Sequence, residues 1–234
     1  WKALECSCER NFSFCTCLRK QVLNFELFMR YPNFNHEREL AKLGYRVVAG
    51  VDEAGRGAWA GPVVAAAVVL PADFSIRGIA DSKQITAIKR AELYRELISA
   101  VDWGVGVVSN IVIDQINILR ATRVAMRQAL GGLKAAPDFV LVDAVRIGDL
   151  PWRQRAVVKG DYQVMSIAAA SIIAKVTRDN LLRNLHRQWP NYRFDLHKGY
   201  GTKVHQAMIK KYGVSTVHRK TYKPLVKIKN GELV

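Results

Sequence analysis

Cysteine is absent from all but the first 17 of the 234 residues, where Cys6, Cys8, Cys15 and Cys17 form two C-x-C units. A body without thiols excludes a disulfide-stapled fold and fits a cytoplasmic protein. The C-x-C spacing also departs from the C-x₂₋₄-C spacing of zinc sites. No apolar run approaches the ~20 residues a spanning helix needs, which argues against a membrane protein. Internal repeats and low-complexity tracts are missing as well, so a solenoid is excluded. Acidic residues are scarce: 20 Asp and Glu stand against 36 Lys and Arg, a net charge of +16. Such a balance predicts attraction to polyanions, nucleic acid first among them.

What remains is an ordinary globular mixture, 50% hydrophobic and 24% charged, of a length that suits one domain with a short appendage. The chain opens on Trp1, and Met29 directly precedes the helix-like RYPNFNHERELAKLGY. Residues 1–28 are therefore read as a leader outside the fold, too polar for a signal peptide, and residues 29–234 as the folded domain with a basic C-terminal region. Between Lys175 and Lys229 there are 14 lysines and arginines against only Asp179 and Asp195. Trp189, Tyr192, Phe194, Tyr200, Tyr212 and Tyr222 are interleaved with them. Cations for phosphates and rings for sugars or bases suit a nucleic-acid surface, although each residue alone also suits an ordinary solvated or core position.

Short β-branched runs at 46–55, 61–70 and 103–109 predict three strands, joined by turns and a helix over Thr86 to Ala100. A longer helical pattern spans Asp114 to Leu133 and stops at Gly131-Gly132. DFVLVDA and RQRAVVKGD predict two further strands, and 166–189 predicts a long, partly buried helix. Three leading strands form an antiparallel meander and the later ones, reached through helices, add in parallel, which gives a mixed α/β sheet flanked by helices.

Carboxylates stand at the ends of these elements. Asp52 and Glu53 end the first strand, Asp143 the fourth, and Asp161 precedes the long helix. Neighbouring strand residues face opposite sides, so Asp52 and Glu53 converge only where the strand ends or bends. Asp143 follows the apolar run FVLV, where a charge is costly unless it lies at the sheet's mouth or binds a cation. Oxygen ligands without histidine or cysteine select Mg²⁺ or Mn²⁺ over Zn²⁺. Structural roles compete: Asp161 can cap a helix, Asp143 can open a turn and Asp52 can bond local backbone. The segment DEAGRGAWAGP tips the balance, because Gly55, Gly57 and Gly61 let backbone approach a ligand and Arg56 adds a cation between them. It is neither a Walker loop nor a dinucleotide-binding glycine motif.

VDEAGRG at 51–57, DSK at 81–83, VDA at 142–144, KGD at 159–161, SIAAASIIAKVTRD at 166–179 and HKGYGT at 197–202 together resemble bacterial ribonuclease HII over about residues 30–225. The resemblance implies the ribonuclease H-like fold, a five-stranded mixed sheet with flanking helices and a helical C-terminal extension. It implies an endonuclease that hydrolyses the RNA strand of RNA–DNA hybrids and nicks duplex DNA on the 5′ side of a single ribonucleotide. Asp52, Glu53 and Asp143 match the family's metal ligands, and Asp161 its fourth active-site carboxylate. Gly55, Arg56 and Gly57 match the motif that senses the ribose 2′-OH, and Tyr200 the tyrosine on the adjoining sugar. Ser82, Lys83 and Lys175 suit phosphate contacts. Asp179, well inside the long helix, is read as structural or surface. His36, His186, His205 and His218 are read as surface residues, and His197 as a support for the loop of Tyr200.

Two divalent ions roughly 4 Å apart would activate water and stabilise the leaving oxygen, giving 5′-phosphate and 3′-hydroxyl ends. Competing readings are a 3′→5′ exonuclease, which needs a free 3′ end, and a basic binding module indifferent to Mg²⁺. Ribonuclease HIII is disfavoured by the roughly 45 residues before VDEAGRG, too few for its amino-terminal substrate-binding domain. A monomer is the expected state.

Overall fold

Five strands and eight α-helices account for most of the described residues, which in this computed structural model are 31–79 and 85–229. The leader with its four cysteines, the boundary at 28/29, and Ser82 and Lys83 lie outside them. The strands are β1 (Val48–Ala54), β2 (Val63–Val69), β3 (Asp102–Val108), β4 (Phe139–Asp143) and β5 (Arg153–Val157). Their order across the sheet is β3-β2-β1-β4-β5. β1 pairs with β2, and β2 with β3, antiparallel; β1 with β4, and β4 with β5, parallel. The expected meander with parallel additions is what forms.

The helices are α1 (Asn35–Lys42), α2 (Ala87–Ala100), α3 (Asn110–Ile116), α4 (Ile118–Gly131), α5 (Met165–Gln188), α6 (Phe194–His197), α7 (Lys203–Tyr212) and α8 (Lys223–Lys229). The single helix expected over Asp114 to Leu133 is two, broken at Asn117. Asn117 adopts φ +66° and its side chain accepts from the Arg120 amide at 3.1 Å, so it starts α4 as a cap instead of continuing α3.

The central strands are buried on both faces, which is why β2 reads VVAAAVV without polar alternation. On one face Ala49, Val51, Val63, Ala65, Val140 and Val142 pack with Ala121, Ala125, Met126 and Ala129 of α4. On the other face lies α5, whose run Ala168–Ala170 packs against Ala66 and Val68. Gly50 permits that approach: a Cβ there would fall 2.3 Å from the backbone carbonyl carbon of Ser166. Glu37 of α1 fastens the start of α5, accepting from the Ser166 amide at 2.9 Å and hydroxyl at 2.8 Å.

Candidate active site

Strand register brings the first two carboxylates together. Val51 pairs with Val142 across the parallel β1–β4 ladder, so Asp52 and Asp143 follow on neighbouring strands, both on the α5 face. Asp161 arrives from the 3₁₀ turn Gly160–Tyr162 that leads into α5. That turn is tied to Asp143, whose Oδ1 accepts from the Gly160 amide at 2.7 Å. A Cβ at position 160 would lie 2.6 Å from Ile167 Cδ1, so glycine lets the turn close over the site. The result is one carboxylate oxygen each from Asp52, Asp143 and Asp161, all within 4.8 Å of one another.

Burial sharpens the charge problem. Asp52 is 4% and Asp161 2% exposed. The Asp52 carboxyl is held well above the usual carboxylate range, first by burial and then by the charges of Glu53, Asp143 and Asp161; only the Glu53 amide, donating to Oδ1 at 2.7 Å, opposes this. An all-oxygen, acid-only donor set of this kind fits a hard divalent cation, which would relieve the mutual repulsion.

Glu53 stands apart from that trio. Strand alternation turns it away from Asp52, and its Oε1 pairs with Arg56 Nη1 at 3.1 Å. Asp179 also lies elsewhere, ion-paired with Lys175 at 2.9 Å, in keeping with a structural role. Lys175 is thus engaged with Asp179, and its Nζ lies 5.7 Å from the Tyr200 ring.

The glycine-rich segment after β1 is held from beneath by two buried arginines. Arg178 donates to the carbonyls of Pro62 at 3.0 Å, Ala60 at 3.2 Å and Lys198 at 2.9 Å. Arg219 donates to those of Gly61 at 3.0 Å, Arg56 at 3.0 Å and Pro62 at 3.1 Å. Burial lowers the pKa of both, that of Arg178 to about 10, yet each guanidinium stays charged at neutral pH. Gly55 sits directly on Arg178: φ is +96°, and a Cβ would be 1.9 Å from Nε. Gly57 is exposed, and a Cβ there would meet nothing within 4 Å. The Arg178 guanidinium lies 5.4 Å from the Tyr200 ring centre, so one side chain underlies both the glycine segment and Tyr200.

Sequence reasoning missed these two arginines. The signal was present for Arg178, because Ala174, Arg178 and Leu182 share one buried stripe at four-residue spacing. It also misplaced two histidines. His205 and His218 are fully buried, not on the surface, because they pack with Phe194 and Tyr192 under the Tyr200 segment. His205 precedes the buried Ile209 by one helical turn of α7, the pattern of a core position. His36 and His186 are half-buried. His197 does support the Tyr200 segment: its Nδ1 accepts from the Gly199 amide at 3.2 Å, and its carbonyl from the Tyr200 amide at 3.0 Å. No described helix is long and apolar enough to cross a membrane.

A family model described as ribonuclease HII matches residues 49–225. A ribonuclease HII from Roseiflexus castenholzii is 50% identical over 200 residues, 83% of this chain and 89% of the relative. One from Syntrophus aciditrophicus is 53% identical over 189 residues, 80% of this chain and 89% of the relative. Among solved structures, the ribonuclease H2 of Pyrococcus horikoshii superposes with a TM-score of 0.66 at 30% identity, over 80% of this chain and 98% of its own. With the acidic cluster at the end of its central strands and this kinship along most of its length, the chain belongs to the ribonuclease HII family of nucleases.

Proposed function

We propose that the protein is an endoribonuclease that cleaves the RNA strand of RNA–DNA hybrids and nicks duplex DNA on the 5′ side of a single embedded ribonucleotide. The observation that carries this reading is the convergence of Asp52, Asp143 and Asp161 within 4.8 Å beside a glycine-rich segment, in a chain of net charge +16. Those three carboxylates would hold Mg²⁺ or Mn²⁺, and Glu53, which is ion-paired with Arg56 at 3.1 Å, is the further ligand that the family resemblance implies. Bound divalent ions supply water ionisation at neutral pH and charge neutralisation at the scissile phosphate.

The chain's own residues select and orient. Gly55, Arg56 and Gly57 read the 2′-OH, the one group that separates a ribonucleotide from its DNA neighbours. Gly57 supports this role, since its missing side chain serves no internal packing and leaves room for close backbone approach. Tyr200 packs on the adjoining sugar, while Ser82 and Lys83 meet phosphates. In the reaction water adds to phosphorus, the bond to O3′ breaks, and that oxygen takes a proton, leaving a 5′-phosphate and a 3′-hydroxyl.

A covalently closed duplex circle carrying one ribonucleotide tests the reading, because it offers no end to an exonuclease. Conversion to the nicked form with Mg²⁺ or Mn²⁺ is expected. An intact circle, beside degradation of the same duplex once linearised, would favour end-dependent cleavage; salt-sensitive binding without any cutting would favour a binding module.

A further inference from the structure

The reading above leaves two fully buried rings unused, His205 and His218. His205 stacks on His197, with ring centres 4.2 Å apart and planes 16° apart, and its Nε2 lies 3.0 Å from Nε2 of His218. Neighbouring donors fix where the protons are. The Ser215 amide donates to His218 Nδ1 at 3.0 Å, which makes that nitrogen an acceptor, and the Ser215 hydroxyl oxygen lies 2.7 Å from the same atom. A neutral imidazole has a single N–H, so His218 carries it on Nε2 and donates to Nε2 of His205. His205 then carries its own proton on Nδ1, 3.0 Å from the Tyr200 carbonyl oxygen. Burial holds His205 at about 3 and His218 at about 4, so both rings are neutral at working pH. Every nitrogen of the two rings is satisfied in this arrangement, which runs one way, from the Ser215 amide to the Tyr200 carbonyl.

The other end of the relay is anchored to the glycine-rich segment. His218 forms an antiparallel bridge with Ala60. On either side of it the Arg219 amide donates to the Trp59 carbonyl at 2.8 Å, and the Gly61 amide to the Val217 carbonyl at 2.9 Å. His218 is therefore tied by its backbone to Trp59–Gly61, at the end of the glycine-rich segment, and by its ring, through His205, to Tyr200, beside the direct bond from the Trp59 amide to the Gly199 carbonyl at 2.8 Å. Apolar side chains could fill the same space, but they would set neither the direction nor the length of the link.

We propose that His218 and His205 are positioning residues for ribonucleotide recognition: their N–H···N relay fixes the Tyr200 segment relative to Gly55–Gly57, so the groups that meet the ribose keep a set separation. This rests on the roles given above to Tyr200 and the glycine segment.

Histidine ¹⁵N NMR of the wild-type protein reads the tautomers directly. The relay predicts Nδ1–H on His205, Nε2–H on His218 and a scalar coupling between the two Nε2 nuclei. A His205 protonated on Nε2 overturns it, whatever any variant does. The functional arm measures kcat and KM on duplex DNA with one ribonucleotide for His218→Phe, which keeps a ring without a donor, and His218→Gln, which keeps an N–H. A roughly ten- to hundredfold fall in kcat is expected for the phenylalanine, with KM moved less and substantial recovery in the glutamine. Wild-type kcat in a folded His218→Phe protein overturns the proposal. Tyr200→Ala separates the two layers: if it leaves ribonucleotide preference intact, the sugar-packing role fails and the relay's purpose with it. If it abolishes preference while His218→Phe retains it, the relay alone fails.

Discussion

Gly50→Ala should disturb the catalytic cluster without touching a charged residue. A Cβ at this position would lie 2.3 Å from the Ser166 carbonyl carbon and 2.5 Å from the Ile167 nitrogen, where ordinary contact begins near 3.4 Å. Both obstacles are backbone, and the Ser166 end of α5 is pinned by Glu37. Relief therefore requires the start of α5 to retreat from β1 by about 1 Å. Overpacking of this kind costs about 1–3 kcal/mol. At ~2–4 °C per kcal/mol for a domain of this size, Tm should fall by roughly 2–12 °C. The larger effect is on chemistry. Asp161 enters the site on the turn that leads into α5, while Asp52 stays on β1, so the carboxylates separate by a similar distance, and a misplacement of ~1 Å can cost about 10²-fold in rate. The assay pairs thermal melting with single-turnover cleavage of a ribonucleotide-containing duplex, with Gly131→Ala as control because a Cβ there meets nothing. Wild-type Tm and turnover in Gly50→Ala would refute the argument that this glycine sets the α5–β1 distance.

Asp52→Asn should lower cleavage by at least about a thousandfold, through loss of several kcal/mol of charge stabilisation. In EDTA the same variant should melt higher than wild type, because the fold disfavours the charged form of this buried carboxyl. Mn²⁺ or Mg²⁺ should raise the wild-type Tm, by the equivalent of about 2.7 kcal/mol at a hundredfold excess over Kd, and Asp52→Asn should lose that response. An unchanged metal-induced shift in the variant would remove Asp52 from the ligand set. His205 and His218 set an acid limit. Their folded-state pKa values lie below the ordinary histidine value of 6.5, so the unfolded chain binds protons first as pH falls. Stability present at neutral pH should decline below about pH 6.5 and continue to fall toward pH 4, by up to about 1.4 kcal/mol per pH unit for each ring. His197, also lowered by burial, adds to the same trend, and the Asp52→Asn background removes the raised pKa of Asp52, which acts with the opposite sign; a Tm flat from pH 7 to 5 there would contradict the acid limit.

Strand positions and the change from antiparallel to parallel pairing were legible, because burial on both faces leaves apolar runs such as VVAAAVV and FVLV, whereas the place of β4 beside β1 was not. Asp52 and Asp143 stood out as charges that interrupt or end apolar runs, and Asp161 by its place just before the long helix. Less was written about what happens between elements. The Asn117 break depends on one residue accepting a left-handed conformation, and in sequence it looks like a polar position on a continuous helix. Glu53, adjacent to Asp52, is turned to Arg56 by strand alternation that local bending could have overcome. The buried Arg178, Arg219, His205 and His218 were hidden because polar side chains read as surface until their partners are known. Those partners are backbone carbonyls, the Ser215 amide, the Tyr222 hydroxyl and each other, drawn from segments up to 163 residues away.

The most direct test of the account is to map the cut in duplex DNA containing one internal ribonucleotide, with Mg²⁺, Mn²⁺ or EDTA present and an all-DNA duplex alongside. The account predicts a metal-dependent nick on the 5′ side of the ribonucleotide, with a 5′-phosphate and a 3′-hydroxyl, and no cut in the all-DNA duplex. Cleavage that persists in EDTA, or that falls equally on the all-DNA duplex, would contradict it.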